Sequence, residues 1–243
     1  MISTITSIYK NLVIDSNKGV KQLAVLIDPD KFSVEDAKDF ISCLPTEITH
    51  IFIGGSTDEN NRTENTVRSV KAFTSLPILI FPGDHSQITD HADGLLFLSL
   101  ISGRNPEYLI GQQVKAAQKL RSCSLETIPT GYILIEGGRK CAVERVSNTK
   151  PISQENITLI VNTALAGQFS GKKLIYLEAG SGASIPVSAE IIRAVKEAIN
   201  IPLIVGGGIR TREQQKIAYE AGADLLVIGT AFEEGFATPS YIT

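Results

Sequence analysis

Short apolar runs rich in β-branched residues recur along the chain and alternate with amphipathic segments. Each run is nearly continuous rather than alternating, as expected for parallel strands that are covered on both faces. The pattern predicts eight strands, at Leu23–Ile27, Ile48–Ile53, Leu76–Phe81, Gly94–Leu98, Gly131–Ile135, Leu174–Leu177, Pro202–Val205 and Asp224–Ile228.

Helix-type segments separate most of these runs. They are predicted at Ser33–Cys43, Thr63–Phe73, Pro106–Arg121, Ser153–Ala166, Val187–Ile199 and Thr211–Ala221. Ser33 with Asp36 three residues later has the spacing of a capping box, and Ser153 and Thr211 are predicted helix starts. Eight strands that alternate with helices predict an α/β fold, the (β/α)₈ barrel. A leading helix within Met1–Asn17 is expected to close the barrel bottom.

Two connections depart from a regular barrel. Only the segment PGDHSQITDHA lies between Phe81 and Asp93, which is too short for a full outer helix. The third βα unit is therefore predicted to be modified, with its helix missing or replaced. The polar segment Gly138–Lys150 is predicted to be an irregular loop over the barrel mouth.

Composition narrows the class of protein. The 243 residues match one barrel, and without a linker or repeat they predict a single domain over 1–243. The net charge of −3, with no basic block, argues against nucleic acid as the main partner. No apolar run is long enough for a transmembrane segment. Three cysteines without CxxC spacing suit a reducing cytoplasm. The mean hydropathy of +0.10 fits an apolar groove or a homo-oligomer interface.

Glycines end the last two predicted strands. Gly206-Gly207-Gly208 follows the seventh strand, and Gly229-Thr230 follows the eighth. Glycine lets backbone N–H groups turn toward an anion, and these two strand ends are where such barrels bind phosphate. A short helix at Thr230-Ala231-Phe232-Glu233 would point its N-terminus at the same anion. The alternative is two tight turns without a ligand.

Two polar residues follow neighbouring strands early in the chain. Asp28 ends the first strand, and a carboxylate there can hold Mg²⁺ together with substrate phosphate oxygens. Ser56 follows Gly54-Gly55 at the second strand end, and its hydroxyl can complete the shell of the ion. The alternatives are a turn-forming Asp before Pro29 and a helix-capping Ser.

Glu178 ends the sixth strand, beside the loop Ala179-Gly180-Ser181-Gly182. A carboxylate next to a glycine loop can act as general base toward a bound hydroxyl. The alternative is a structural salt bridge to Lys172 or Arg210. The same loop offers a third set of N–H groups for an anion.

Other chemistries lack their signatures. His50, His85 and His91 have no zinc-ligand spacing with cysteine or with each other. The sequence contains neither a G-x-S-x-G elbow nor a Walker A motif, and no G-x-G-x-x-G follows the first strand. A serine hydrolase or a nucleotide-binding fold is therefore disfavoured.

The motifs LIDPDK, IFIGGS, YLEAGSGA, VGGGIRT and ADLLVIGT, in this order, resemble the geranylgeranylglyceryl phosphate synthase family. The resemblance implies a Mg²⁺-dependent prenyltransferase on a (β/α)₈ barrel. It joins sn-glycerol 1-phosphate to geranylgeranyl diphosphate as an ether lipid precursor. A heptaprenyl-transferring branch has Lys two positions before the metal Asp. Leu26 stands there in this chain, so the resemblance favours the C₂₀ branch.

The resemblance also implies residue roles. Asp28 and Ser56 match the metal positions, and Glu178 matches the proposed base. The glycerol phosphate site is matched by Tyr176, Leu177, Glu178, Ala179, Gly180, Ser181, Gly182, Gly207, Gly208, Gly229 and Thr230. A cytoplasmic homo-oligomer is expected, with at most transient contact to a membrane surface for product release.

The modified third unit is the predicted place of the prenyl chain. A missing outer helix exposes the seam between its neighbours, and Phe97, Leu98, Leu100 and Ile101 lie beyond it. Phe97 is equally compatible with ordinary core. Tyr108 is bulky and amphipathic and is the predicted floor that limits tail length.

Two rival functions remain compatible with the sequence alone. One is a phosphate-binding isomerase or lyase on the same barrel, with Asp28 and Glu136 as acid and base. The other is a non-catalytic prenyl-phosphate-binding barrel. Turnover of a prenyl diphosphate separates both from a prenyltransferase.

Overall fold

Eight parallel strands form a closed barrel in the order of the chain, β1 to β8. The computed structural model describes residues 7–55 and 62–229. Every predicted strand is present, which confirms the (β/α)₈ fold. The strands are β1 Gln22–Ile27, β2 Ile48–Ile53, β3 Ile78–Ile80, β4 Gly94–Leu100, β5 Glu126–Leu134, β6 Leu174–Glu178, β7 Leu203–Gly206 and β8 Leu225–Ile228.

Eight α-helices are present in the described ranges. They are α1 Ile8–Asn17, α2 Ala37–Ser42, α3 Arg62–Lys71, α4 Gln112–Arg121, α5 Ala142–Ser147, α6 Ile157–Phe169, α7 Ala189–Ala198 and α8 Arg212–Glu220. A 3₁₀ turn at Val34–Asp36 precedes α2, and a π turn at Glu107–Gly111 precedes α4. No helix in 7–55 or 62–229 is long and apolar enough to cross a membrane.

Of the three helix starts predicted from capping residues, one is confirmed and two are wrong. The Thr211 side chain accepts from Gln214 N–H in a full capping box, so that predicted start is confirmed. The predicted Ser33 cap is wrong, because that side chain makes no capping hydrogen bond and a 3₁₀ turn follows it. The predicted start at Ser153 is also wrong: α6 begins after Asn156, whose Oδ1 accepts from Leu159 N–H at 3.2 Å.

The third connection contains only one 3₁₀ turn, at His85–Gln87, between β3 and β4. The prediction of a missing outer helix is therefore confirmed. The segment Gly138–Lys150 was predicted to be an irregular loop. This prediction is wrong in part, because α5 lies within the segment. Asn148 ends that helix in the left-handed region, at φ 50°.

Helix α1 covers the N-terminal ends of the strands. The Glu126 carboxylate at the start of β5 accepts from Ser7 Oγ at 2.5 Å and from the Ile8 and Tyr9 N–H groups at 2.6 and 3.0 Å. Ile8 and Leu12 pack into the barrel interior beneath Leu96 and Ile128. The expected closure of the barrel bottom is thus confirmed, and the opposite end of the barrel is left for a site.

Candidate active site

The C-terminal ends of the strands surround one cavity of about 420 Å³. Asp28 after β1, Gly55 after β2, Phe81 after β3 and Glu178 at the end of β6 all line it. Residues as far apart in the sequence as Asp28 and Gly229 meet here because all eight parallel strands end at the same face of the barrel.

Gly207 and Gly208 form a turn whose backbone strongly favours glycine. Both lie in the left-handed region, at φ +84° and +74°. A Cβ at Gly207 would overlap Glu178 Oε1 and lie 2.7 Å from the Gly180 nitrogen. Gly229 lines the same side of the cavity. Thr230 and the expected helix at 230–233 lie outside the described residues.

In the loop after β6, one backbone N–H group bonds to Glu178, and other residues line the cavity. The Gly180 N–H donates to Glu178 Oε1 at 2.7 Å, so this donor orients the carboxylate rather than an anion. Ser181 and Gly182 line the cavity. Leu177 and Ala179 pack against the outer helices, so only their backbone can face a ligand.

Glu178 is buried at the cavity wall. Burial raises the pKa of its carboxyl to about 7, although the Gly180 N–H and the Tyr176 hydroxyl both act to lower it. The Tyr176 hydroxyl lies beside this carboxylate, yet it forms no hydrogen bond of good geometry with the described residues. A carboxyl group with this pKa can both accept and release a proton near neutral pH.

The alternative of a structural salt bridge for Glu178 has no support in the described part of the chain. Lys172 Nζ donates instead to Ser99 Oγ at 2.9 Å, and Arg210 Nη2 donates to the Gly182 carbonyl at 3.2 Å. The carboxylate is therefore available to a ligand.

Asp28 lies on the opposite wall, with its side chain 25% exposed. Its Oδ1 accepts from Asp30 N–H at 3.1 Å, and Lys31 Nζ lies 3.4 Å from Oδ2. A Cβ on Gly55 would lie 2.8 Å from Oδ1, so glycine keeps this carboxylate open to the cavity. Ser56 lies outside the described residues. No cluster of three His, Cys, Asp or Glu side chains with metal-binding geometry occurs in the described ranges.

Three aromatic rings form the floor between these two walls. Phe81 stacks on Tyr176 and Tyr132 meets it edge-on, with ring centroids 5.3 Å apart in both pairs. Burial raises the pKa of both tyrosine hydroxyls well above the ordinary value, so both stay protonated. The floor offers an apolar surface with few exposed charges.

An apolar groove continues from this floor over the modified third unit. Ile88, Leu95, Phe97 and Ala116 line it between the His85–Gln87 turn and α4. Tyr108 lies along it and donates to the Val146 carbonyl at 3.1 Å. Leu98 and Leu100 also face the cavity, whereas Ile101 packs against Gly131 and Gly167 in the helix layer.

Several cationic residues of the site were not predicted from the sequence as ligand contacts. Lys31 and Arg210 line the cavity, as does Arg145 on α5. A Cβ at Gly182 would collide with the Arg139 guanidinium, so Arg139 and Arg210 flank the same loop. Arg210 had a visible signal, because it stands two residues after the triple glycine.

Glu136, which the isomerase alternative requires beside Asp28, is exposed and does not line the cavity. Asp28, Asp84 and Glu178 are the carboxylates that line the cavity among the described residues. This geometry disfavours that alternative.

A model of the PcrB family matches residues 18–241 of the chain. The chain belongs to the PcrB family. Among the relatives is a geranylgeranylglyceryl phosphate synthase of Zunongwangia profunda, which is 62% identical over 88% of this chain and 92% of its own. The synthase of the same name from Pyrococcus abyssi is 44% identical over 88% and 85%.

A similar protein of known structure has the same architecture. It is the crystal structure of (S)-3-O-geranylgeranylglyceryl phosphate synthase from Thermoplasma acidophilum in complex with its substrate sn-glycerol-1-phosphate. It is 34% identical, has a TM-score of 0.87, and the match covers 95% of this chain and 93% of that one. The family resemblance inferred from the motifs is confirmed.

The burial of Glu178 makes a prediction about stability. Its pKa is about 7 in the fold against 4.5 as the ordinary value, so ionisation opposes folding once the pH exceeds the lower value. Glu178→Gln removes this cost. We expect the variant to gain up to roughly 3 kcal/mol relative to the native chain as the pH rises from about 5 to about 8.5. Urea unfolding at both pH values measures the difference. The exposed Glu197→Gln is the control, and a difference independent of pH would contradict the prediction.

Proposed function

We propose that this chain is a geranylgeranylglyceryl phosphate synthase. It transfers the prenyl group of geranylgeranyl diphosphate to the 3-hydroxyl of sn-glycerol 1-phosphate, forming an ether and releasing diphosphate. The observation that carries the proposal is the placement of Glu178. This buried carboxyl, which has no cationic partner in the described part of the chain, lies between a glycine cradle and an apolar groove, where a polar acceptor and a prenyl donor meet.

The glycine side of the cavity suits glycerol phosphate. Backbone N–H groups at Gly207, Gly208 and Gly229 and at the Ser181-Gly182 loop can surround a phosphate. Arg210 adds a positive charge at the edge of this loop. A phosphate held there directs the free hydroxyl of glycerol phosphate toward Glu178.

Glu178 then acts as general base. Its carboxylate takes the proton of the 3-hydroxyl while the oxygen of that hydroxyl attacks C1 of the prenyl group. The bond from C1 to the diphosphate oxygen breaks, and diphosphate leaves with the electron pair. Positioning both reactants in one site supplies much of the rate increase.

The Asp28 side suits the diphosphate. The residues fit Mg²⁺, because one carboxylate opens onto the cavity where Gly55 leaves room, and this ion takes its other ligands from phosphate and water. Bound there, Mg²⁺ would neutralise the charge of the leaving group. Lys31 lies beside the same carboxylate and adds a second positive charge.

The proposal extends to the setting of the reaction. The enzyme is proposed to work in the cytoplasm as a homo-oligomer that touches a membrane surface only transiently, when its product leaves. Ile110 and Val114 support such a contact, because both are largely exposed on the segment that borders the groove.

Product analysis tests the function directly. The purified chain is incubated with Mg²⁺, sn-glycerol 1-phosphate and C₁₅, C₂₀ or C₃₅ prenyl diphosphate, and the products are identified by mass spectrometry. We expect the C₂₀ ether as the main product. Absence of any ether product would refute the proposal, and preference for C₃₅ would correct the prenyl length.

Glu178→Gln tests the base. Since a general base contributes on the order of 10²–10⁴-fold, kcat should fall by that factor while the affinity for glycerol phosphate changes little. In the native chain, kcat/KM should rise with pH through about 7, because only the ionised carboxyl accepts the proton. Loss of glycerol phosphate binding with retained turnover would make Glu178 a ligand contact instead.

Asp28→Asn tests the metal position. Without the charge that holds the cation beside the leaving group, the activation barrier should rise by several kcal/mol. The value of kcat should therefore fall by roughly 10²-fold or more. The melting temperature should change little, because the side chain is partly exposed. A variant with near-native kcat and unchanged Mg²⁺ dependence would show that Asp28 does not hold the ion.

Tyr108→Ala tests the end of the groove. Removal of the ring should lengthen the apolar channel, so kcat/KM for C₃₀–C₃₅ diphosphates should rise relative to C₂₀. Competition between donors of different length measures the ratio. Tyr108→Phe is the control, since it keeps the ring. An unchanged length profile in Tyr108→Ala would place the tail elsewhere.

A further inference from the structure

A buried glutamine lies in the short turn that replaces the third outer helix. Gln87 is 1% exposed. Its Oε1 accepts from the Gly83 N–H at 2.7 Å, and its Nε2 donates to the Gly55 carbonyl at 3.0 Å. One side chain therefore connects the end of β2 to the loop that follows β3.

Gly55, whose carbonyl Gln87 binds, is also the residue that lies against Asp28. Gly55 lies so close to the carboxylate that a Cβ would come within 2.8 Å of Oδ1. Gly54, the preceding residue, packs directly on the Phe81 carbonyl at the end of β3. A shift of the Gly55 peptide would therefore move into or away from the Asp28 carboxylate.

Packing alone does not require an amide at this position. Ile88, the next residue, is apolar and buried at the edge of the same turn. A buried amide is costly unless its polar atoms are hydrogen-bonded. Both bonds described for Gln87 go to loops that line the cavity, which indicates a role in the geometry of the site.

We infer that Gln87 is a positioning residue for the metal–diphosphate half of the site. It fixes the Gly55 peptide against Asp28 and ties it to the Gly83 loop at the mouth of the prenyl groove. The inference rests on the proposed function, because it assumes that Asp28 faces a Mg²⁺–diphosphate group. Neither of the two hydrogen bonds described for Gln87 goes to the glycerol phosphate half of the site, on β6 to β8.

This separation predicts a selective defect. Gln87→Leu keeps the approximate volume but removes both hydrogen bonds. Binding of Mg²⁺–diphosphate should weaken by about tenfold or more, whereas binding of sn-glycerol 1-phosphate should change by less than about twofold. A purely structural role would lower the fraction of folded protein without separating the two affinities.

Calorimetry measures both affinities without turnover. The probes are inorganic diphosphate in the presence of Mg²⁺, and sn-glycerol 1-phosphate alone. Gln215→Leu is the matched control, because Gln215 is also a buried glutamine but lies on α8, away from the cavity. We expect the control to leave both affinities unchanged. Equal weakening of both ligands in Gln87→Leu, or no weakening of diphosphate, would overturn the inference.

Gln87→Glu separates the two hydrogen bonds. A carboxylate can still accept from Gly83 but cannot donate to the Gly55 carbonyl. We expect diphosphate binding as weak as in Gln87→Leu, and native diphosphate affinity in Gln87→Glu would refute the link through Gly55. If the native chain binds Mg²⁺–diphosphate but forms no ether product, the proposed function fails while the calorimetry still decides the role of Gln87.

Discussion

The site is organised around one buried carboxylate. Glu178 ends β6 inside the barrel mouth, and no lysine or arginine of the described residues pairs with it. Its surroundings meet the demands of such a group: one N–H from Gly180 orients it, and the absence of a side chain at Gly207 leaves room beside it. The aromatic floor keeps water from part of its surface. The Gly180 N–H and the Tyr176 hydroxyl do not fully offset the effect of burial, so the pKa of Glu178 stays raised. The raised pKa costs stability when the carboxylate is ionised, but it favours proton transfer near neutral pH.

The barrel itself was readable from the sequence because its strands are covered on both faces. Continuous β-branched runs such as Ile48–Ile53 leave little ambiguity. The start of β5 was missed, since Glu126 and Pro129 interrupt the apolar pattern there; Glu126 instead caps α1. Helix starts also failed where two polar residues compete, as Ser153 and Asn156 do. In that case the local sequence does not decide which side chain reaches the free N–H groups.

The sequence predicted those site residues that stand at the C-terminal ends of strands. Asp28 and Glu178 were found because each ends a strand and all strand ends meet. The sequence did not show which N–H groups of the glycine loop face a ligand and which bond to Glu178. Whether the Gly180 N–H serves an anion or the neighbouring carboxylate depends on a peptide orientation that the sequence does not display. Gln87 gave no signal at all, because an isolated polar residue in a short loop is indistinguishable from a solvated one until its burial is known.

The Tyr108 hydroxyl bonds to the Val146 carbonyl on the short helix that covers the barrel mouth. The residue proposed to end the prenyl groove thus also anchors α5 over the mouth. In the proposed function, one side chain would therefore serve both the limit on tail length and the anchoring of α5. Under the proposed function, a substitution of Tyr108 that admits a longer donor would also remove the hydrogen bond to Val146, so donor length and the release of product would change together.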